Sequence, residues 1–162
     1  MYAMGLRLKD ALSLPVDAID SKNMVVRVIS KGNKERIVPL PKELLHELRL
    51  FWTTHRHPTW VFPNMAGTSH MCRKSLYRAF TGARDSVGLP PQITVHCLRH
   101  SFATQLLQSG VEIHTLQILL GHASVKSTMI YTHMTEAMRG DLQKIIDQTF
   151  GGLFDAGVGH EK

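Results

Sequence analysis

The stretch "TVHCLRHSFATQLLQSGVEIHTLQILLGHASVKSTMIYTH", Thr94 to His133, decides how the chain is read. Thr94 stands where an N-cap belongs, ahead of a run with helical spacing through Gln108 that Ser109-Gly110 ends. Val111 to Leu120 reads as a short apolar helix closed by Gly121, and Ser124 to His133 as another. The same stretch carries His96, Arg99, His100, His114, His122, Tyr131 and His133. Either these polar residues are scattered over helix surfaces or several of them build one site.

Upstream, "MYAMGLRLKDALSLP" spaces Leu6, Ala11, Leu12 and Leu14 like a helix that stops at Pro15. It has no cap or lead-in strand, so the sequence predicts a chain that begins inside a domain. "NMVVRVISKGNKERIVPLP" predicts two strands joined at "KGNK", because Val26, Val28, Ile37 and Val38 are β-branched and Gly-Asn favours a turn. A third strand is expected near Val16 to Ile19. A helix starts at Pro41, with the proline in its first turn and Leu44, Leu45, Leu48 and Phe51 on one face, and another spans Ser69 to Val87 up to Gly88. Between them His55 to Thr68 reads as a loop with one strand turn at "WVFP". The last helix, Thr135 to Thr149, precedes a glycine-rich tail. The expected fold class is α+β, mainly α-helical, with a small antiparallel sheet near residues 16–40. Residues 1–150 are expected to form the domain and 151–162 a flexible tail.

With 162 residues the chain is long enough for a real core, and its net charge of +6 leans toward a polyanionic partner. No apolar run reaches the roughly 18 residues of a membrane span. Cys72 and Cys97 lack the spacing of a zinc knuckle and are too few for a disulfide framework, which points to a reducing compartment. Ten histidines raise the question of a metal, yet there is no His-Glu-x-x-His, carboxylate cluster or Cys-x-x-Cys to supply a ligand set. No Gly-x-Ser-x-Gly marks a hydrolase nucleophile. His46, His55, His57, His70, His114 and His133 read as exposed or loop residues.

His96 and Arg99, three apart on one helix, share a face. His122 follows Gly121 at a helix break, and Tyr131 lies nine residues further on. Arg7 sits in an apolar segment, where a half-buried guanidinium needs an anionic partner. Lys31 occupies a hairpin tip that can reach toward a ligand. Arginine forks match phosphate oxygens, histidine moves protons near neutral pH, and a tyrosine hydroxyl becomes a nucleophile once a base takes its proton. Such a set supports attack on a phosphodiester without a metal ion.

"GLRLKDALSL", "SKGNKERIVPLP", "HCLRHSFATQLLQSG" and "LQILLGHASVKSTMIYTH" resemble, in order and spacing, the signature boxes of the tyrosine recombinase (phage integrase) family over about Met1 to Met138. The resemblance implies the DNA breaking-rejoining catalytic fold. It implies that Arg7, Lys31, His96, Arg99, His122 and Tyr131 are catalytic and that Asp10 supports them. His100 matches a recurrent histidine, by packing or by hydrogen bonding to the site. Tyr131 would form a 3′-phosphotyrosyl link to DNA and release a 5′-hydroxyl. Arg7, Arg99 and His122 would hold the non-bridging oxygens, and Lys31 would protonate the leaving oxygen. His96 would accept the tyrosine proton or orient the hydroxyl. No cofactor or metal is implied.

The expected function is site-specific recombination or integration. The expected partners are double-stranded DNA and further protomers in a tetrameric synapse, with a monomer away from DNA, in a cytoplasmic, nucleoid-associated setting. The alternatives are a DNA-binding regulator without turnover and a topoisomerase-like relaxation of DNA. Against the family pattern, the first helix of the catalytic domain and an N-terminal core-binding domain are expected to be missing. Leu142, Ile145, Ile146 and Phe150 give the last helix an apolar face, which would pack on its own core or on a neighbouring protomer.

Overall fold

The computed structural model describes residues 1–30, 34–121 and 136–153. The expected "KGN" tip, the helix from Ser124 to His133 and most of the tail lie outside the described residues.

An antiparallel sheet comes early, in the order β1 (Ile19–Asp20), β2 (Val25–Ser30), β3 (Lys34–Pro39). Val26 pairs with Val38 and Val28 with Arg36 in the β2–β3 register. With side chains alternating between faces, Val26 and Val28 on β2 and Val38 on β3 point into the core. The third strand is shorter and later than expected. Val16–Ala18 form a 3₁₀ turn, and the Asp20 carboxylate accepts the Lys22 and Asn23 N–H groups, which ends the strand.

Helix α1 covers only Leu8–Leu12, a correction to the longer opening helix. The cause is tertiary. Gly5 takes a left-handed φ of 56°, and a Cβ there would lie 2.5 Å from the Phe102 ring, so helical backbone cannot run through it. Helix α2 (Lys42–His55) starts one residue later than expected, with Pro41 as its N-cap; Leu45 and Leu48 are buried, while Phe51 stays exposed. Helix α3 is Arg73–Ser86, starting later than expected because Asn64, Ser69, Phe62 and Met71 are tied in a backbone-bonded loop. Two isolated bridges, Pro15 to Trp60 and Pro63 to His70, stand where one strand turn was expected. Helices α4 (Val95–Gln108) and α5 (Ile113–Leu120) follow, and α6 is Glu136–Phe150.

The buried residues fall into three groups. Phe102, Leu106, Leu116 and Leu119 meet Leu142, Ile146 and Phe150 of α6. The sheet packs on α2 through Val26, Val38, Leu40, Leu45 and Leu48. A smaller group joins Leu8, Leu12 and Val95 to Leu76, Phe80 and Leu98 of α3 and α4. The opening segment enters all three, with Ala3 in the first, Met4 and Leu6 in the second, Leu8 and Leu12 in the third. The apolar face of α6 therefore packs on its own chain. Among the described residues no helix is long and apolar enough to cross a membrane.

Phe150 is fully buried, stacked on Phe102 with ring centroids 5.3 Å apart and edge-on to Tyr2. Phe150→Ala should cost about 3–5 kcal/mol of stability in urea denaturation. Leu107→Ala, on an exposed position of α4, should leave the midpoint nearly unchanged.

Candidate active site

The site is built at the C-terminal end of α5. An α-helix leaves its last carbonyls without partners and carries a partial negative charge there, so cations are favoured. Gly121 closes α5 in a left-handed conformation, φ 66°, which ends the helix and leaves its last carbonyl oxygens open. Two arginines from distant parts of the sequence fill them. Arg99 Nη2 donates to the Leu120 carbonyl at 2.6 Å, and Arg7 Nη2 donates to the next one, that of Gly121. Arg99 Nη1 also donates to the Gly5 carbonyl, two residues before Arg7.

Arg99 reaches this point because of how α4 is phased. Val95, Phe102 and Leu106 are fully buried along one side of the helix, and Arg99 lies half-buried on its flank. Thr94 opens the helix as expected. Its N–H donates to Cys97 Sγ at 3.4 Å, so a cysteine stands at the capping-box position usually held by Glu or Gln. Arg7 is half-buried in extended backbone immediately before α1.

Asp10, three residues after Arg7, pairs with a further arginine. Its carboxylate accepts from Arg36 Nη2 at 2.9 Å, with the two side chains only 8% and 4% exposed. Arg36 was not singled out from the sequence. A signal was present, since strand alternation puts position 36 on the same inward face as Val38, and a charge there has to be paired.

Burial, chiefly, and the charges of Arg7 and Arg36 push the Arg99 guanidinium down to about 10, with Asp10 pulling the other way. Arg99 thus remains a cation at neutral pH, held in a field that an incoming anion would relieve. Arg36 is likewise pushed down by burial, against the upward pull of Asp10.

His96 is exposed on α4, its Nε2 3.4 Å from the hydroxyl of Tyr77 on α3. Tyr77 is a contact that no local pattern in the sequence announces. His100 is exposed on the same helix. Lys31, His122 and Tyr131 lie outside the described residues, as does His133. Of the bystander histidines, His46 and His114 are exposed, while His57 and His70 tie the loop between α2 and α3. His57 Nδ1 accepts the Thr59 and Trp60 N–H groups, and His70 Nδ1 bonds the Met71 carbonyl. Among the described residues no three His, Cys, Asp or Glu side chains are grouped to hold a metal.

Known proteins share this chain's sequence and its fold. The family model described as "Phage integrase family" matches residues 1–138. A putative integrase/recombinase, y4qK, of Sinorhizobium fredii (strain NBRC 101917 / NGR234) is 41% identical over 131 residues, 80% of this chain and 42% of that protein. Tyrosine recombinase XerD of Brucella suis biovar 1 (strain 1330) is 36% identical over 144 residues, 84% of this chain and 46% of its own length. The chain thus spans about half the length of the curated relatives it matches.

Among solved structures, the integrase from mycobacterium phage Brujita aligns with a TM-score of 0.69 at 28% identity, covering 91% of this chain and 48% of that one. The XerH site-specific recombinase bound to difH substrate, in a pre-cleavage complex, aligns at 0.67 and 28% identity, covering 86% and 42%. Arginines carried on matching motifs, the mainly helical fold with its small sheet, and the family match over most of its length place the chain in the phage integrase family.

Proposed function

We propose that the chain is the catalytic domain of a site-specific DNA recombinase that cuts and rejoins double-stranded DNA through a covalent 3′-phosphotyrosyl intermediate. The observation that carries this reading is the pair of guanidinium groups fixed on consecutive carbonyls at the end of α5. Their bonds to main-chain oxygens use part of each donor fork and fix the planes of the rest. Such preorganised donors stabilise charge that develops in a transition state without reorganising when it forms.

Attack by a tyrosine hydroxyl on a phosphodiester places negative charge on the non-bridging oxygens, where Arg7 and Arg99 would act. His122, next in sequence to Gly121, would add a third donor, and Lys31 would give a proton to the departing 5′-oxygen. His96 would take the Tyr131 proton or orient the hydroxyl. The phosphotyrosyl bond keeps the phosphodiester free energy, so a 5′-hydroxyl from a second duplex can reverse the step. Strand exchange between duplexes requires further protomers, and the proposed assembly on DNA is a tetramer.

A pool of nicked, randomised duplexes should yield a covalent adduct resolved in SDS with the wild type, and none with Tyr131→Phe. EDTA should leave the yield unchanged, and strict metal dependence would sink this mechanism. Duplex binding without any adduct would favour a regulator lacking turnover, and relaxation of supercoiled plasmid would favour the topoisomerase-like reading. Arg99→Lys keeps the charge but loses the fork. It should lower the single-turnover cleavage rate by about 10²–10³-fold while duplex affinity changes little.

A further inference from the structure

Arg36 is the only charged residue that is buried among the described residues, with 3% of its surface exposed. On stability alone its place is hard to explain. An ion pair as buried as Arg36–Asp10 has a large desolvation cost, and apolar residues of similar size often serve as well or better. Its position suggests a different reason. A Cβ on Gly121 would fall 3.0 Å from Arg36 Cδ and 3.3 Å from both Nε and Nη1, so the arginine lies flat against the turn that ends α5. The carbonyl of that same Gly121 holds Arg7, and the one before it holds Arg99. From its other side Arg36 grips Asp10 on α1, three residues beyond Arg7. Its charge is felt at Arg99, and that of Arg7 is felt at Arg36.

We propose that Arg36 is a positioning residue for the phosphate-binding arginines. It is the floor on which the Leu120–Gly121 carbonyls rest and the tie that keeps α1 against them, so the Arg7 and Arg99 forks converge on one phosphoryl group. The proposal rests on the phosphate-site reading given above. It separates two properties that a purely structural role would move together. Grip on duplex DNA comes from many phosphate contacts and would survive loss of Arg36. Alignment at the reacting phosphate would not, because a shift near 1 Å costs about 10²-fold in rate.

The test uses the full chain, with the double variant Arg36→Met/Asp10→Leu chosen because it removes both members of the buried ion pair together; its fold is checked by thermal unfolding. Arg36→Met alone, which strands Asp10, serves to show the folding penalty in thermal unfolding. Orthovanadate, a phosphate mimic, is titrated while the Nε–H signals of Arg7 and Arg99 are followed by NMR. Adduct formation on nicked duplex and duplex affinity are measured alongside. The double variant should keep duplex affinity within about threefold and bind orthovanadate about tenfold more weakly. Its adduct rate should fall about 10²-fold. A wild type whose arginine signals ignore orthovanadate would remove the phosphate site itself and this role with it. A wild type that responds and a folded double variant that matches it in vanadate affinity and adduct rate would overturn the positioning role alone.

Discussion

A guanidinium drawn partly out of water must exchange its hydration for acceptors of fixed geometry. Here those acceptors are main-chain carbonyls, and that choice governs the surrounding structure. Because Leu120 and Gly121 supply them, α5 has to stop at a residue that tolerates a left-handed turn and has no side chain. Because Gly5 supplies another, the segment before Arg7 has to run close beneath α4, where Phe102 leaves room only for glycine. Carboxylate partners would have neutralised the two arginines. The carbonyls of Leu120 and Gly121 instead orient the two guanidinium groups toward one helix end.

The opening segment is the second constraint. It contributes to each of the three hydrophobic groups in turn, so a few residues bind the α4–α5–α6 layer to the sheet and to α3. Arg7 and Asp10 are carried on this seam. The position of Arg7 is therefore set by packing of the residues on either side of it in the chain.

Features set by local chemistry were legible in the sequence. Thr94 as a cap, Gly121 as a helix end, Pro41 as a helix start and the β-branched hairpin strands each follow from the residue's own preferences. Arg7, His96 and Arg99 were picked out by spacing and by resemblance, and the structure brings the two arginines together. What was missed depends on distant partners. The opening helix was overextended because nothing near Gly5 reveals that Phe102 crowds it. Asp10 was matched to the site, but its bond to Arg36 joins residues 26 apart. Tyr77 approaches His96 across a helix pair whose docking no local period encodes. Arg36 could have been found by asking where a charge on the inward face of a strand would go.

The bond between Arg7 and Gly121 also has a temporal meaning, since 114 residues separate its ends. During synthesis the sheet and α2 can assemble early, from contacts close in sequence. The arginine-capped end of α5 cannot exist until that helix has emerged. Its core is not sealed until Phe150 reaches Phe102. A nascent chain would thus hold Arg7 and Arg99 away from these carbonyls until α5 had been made, and their paired arrangement would arrive late.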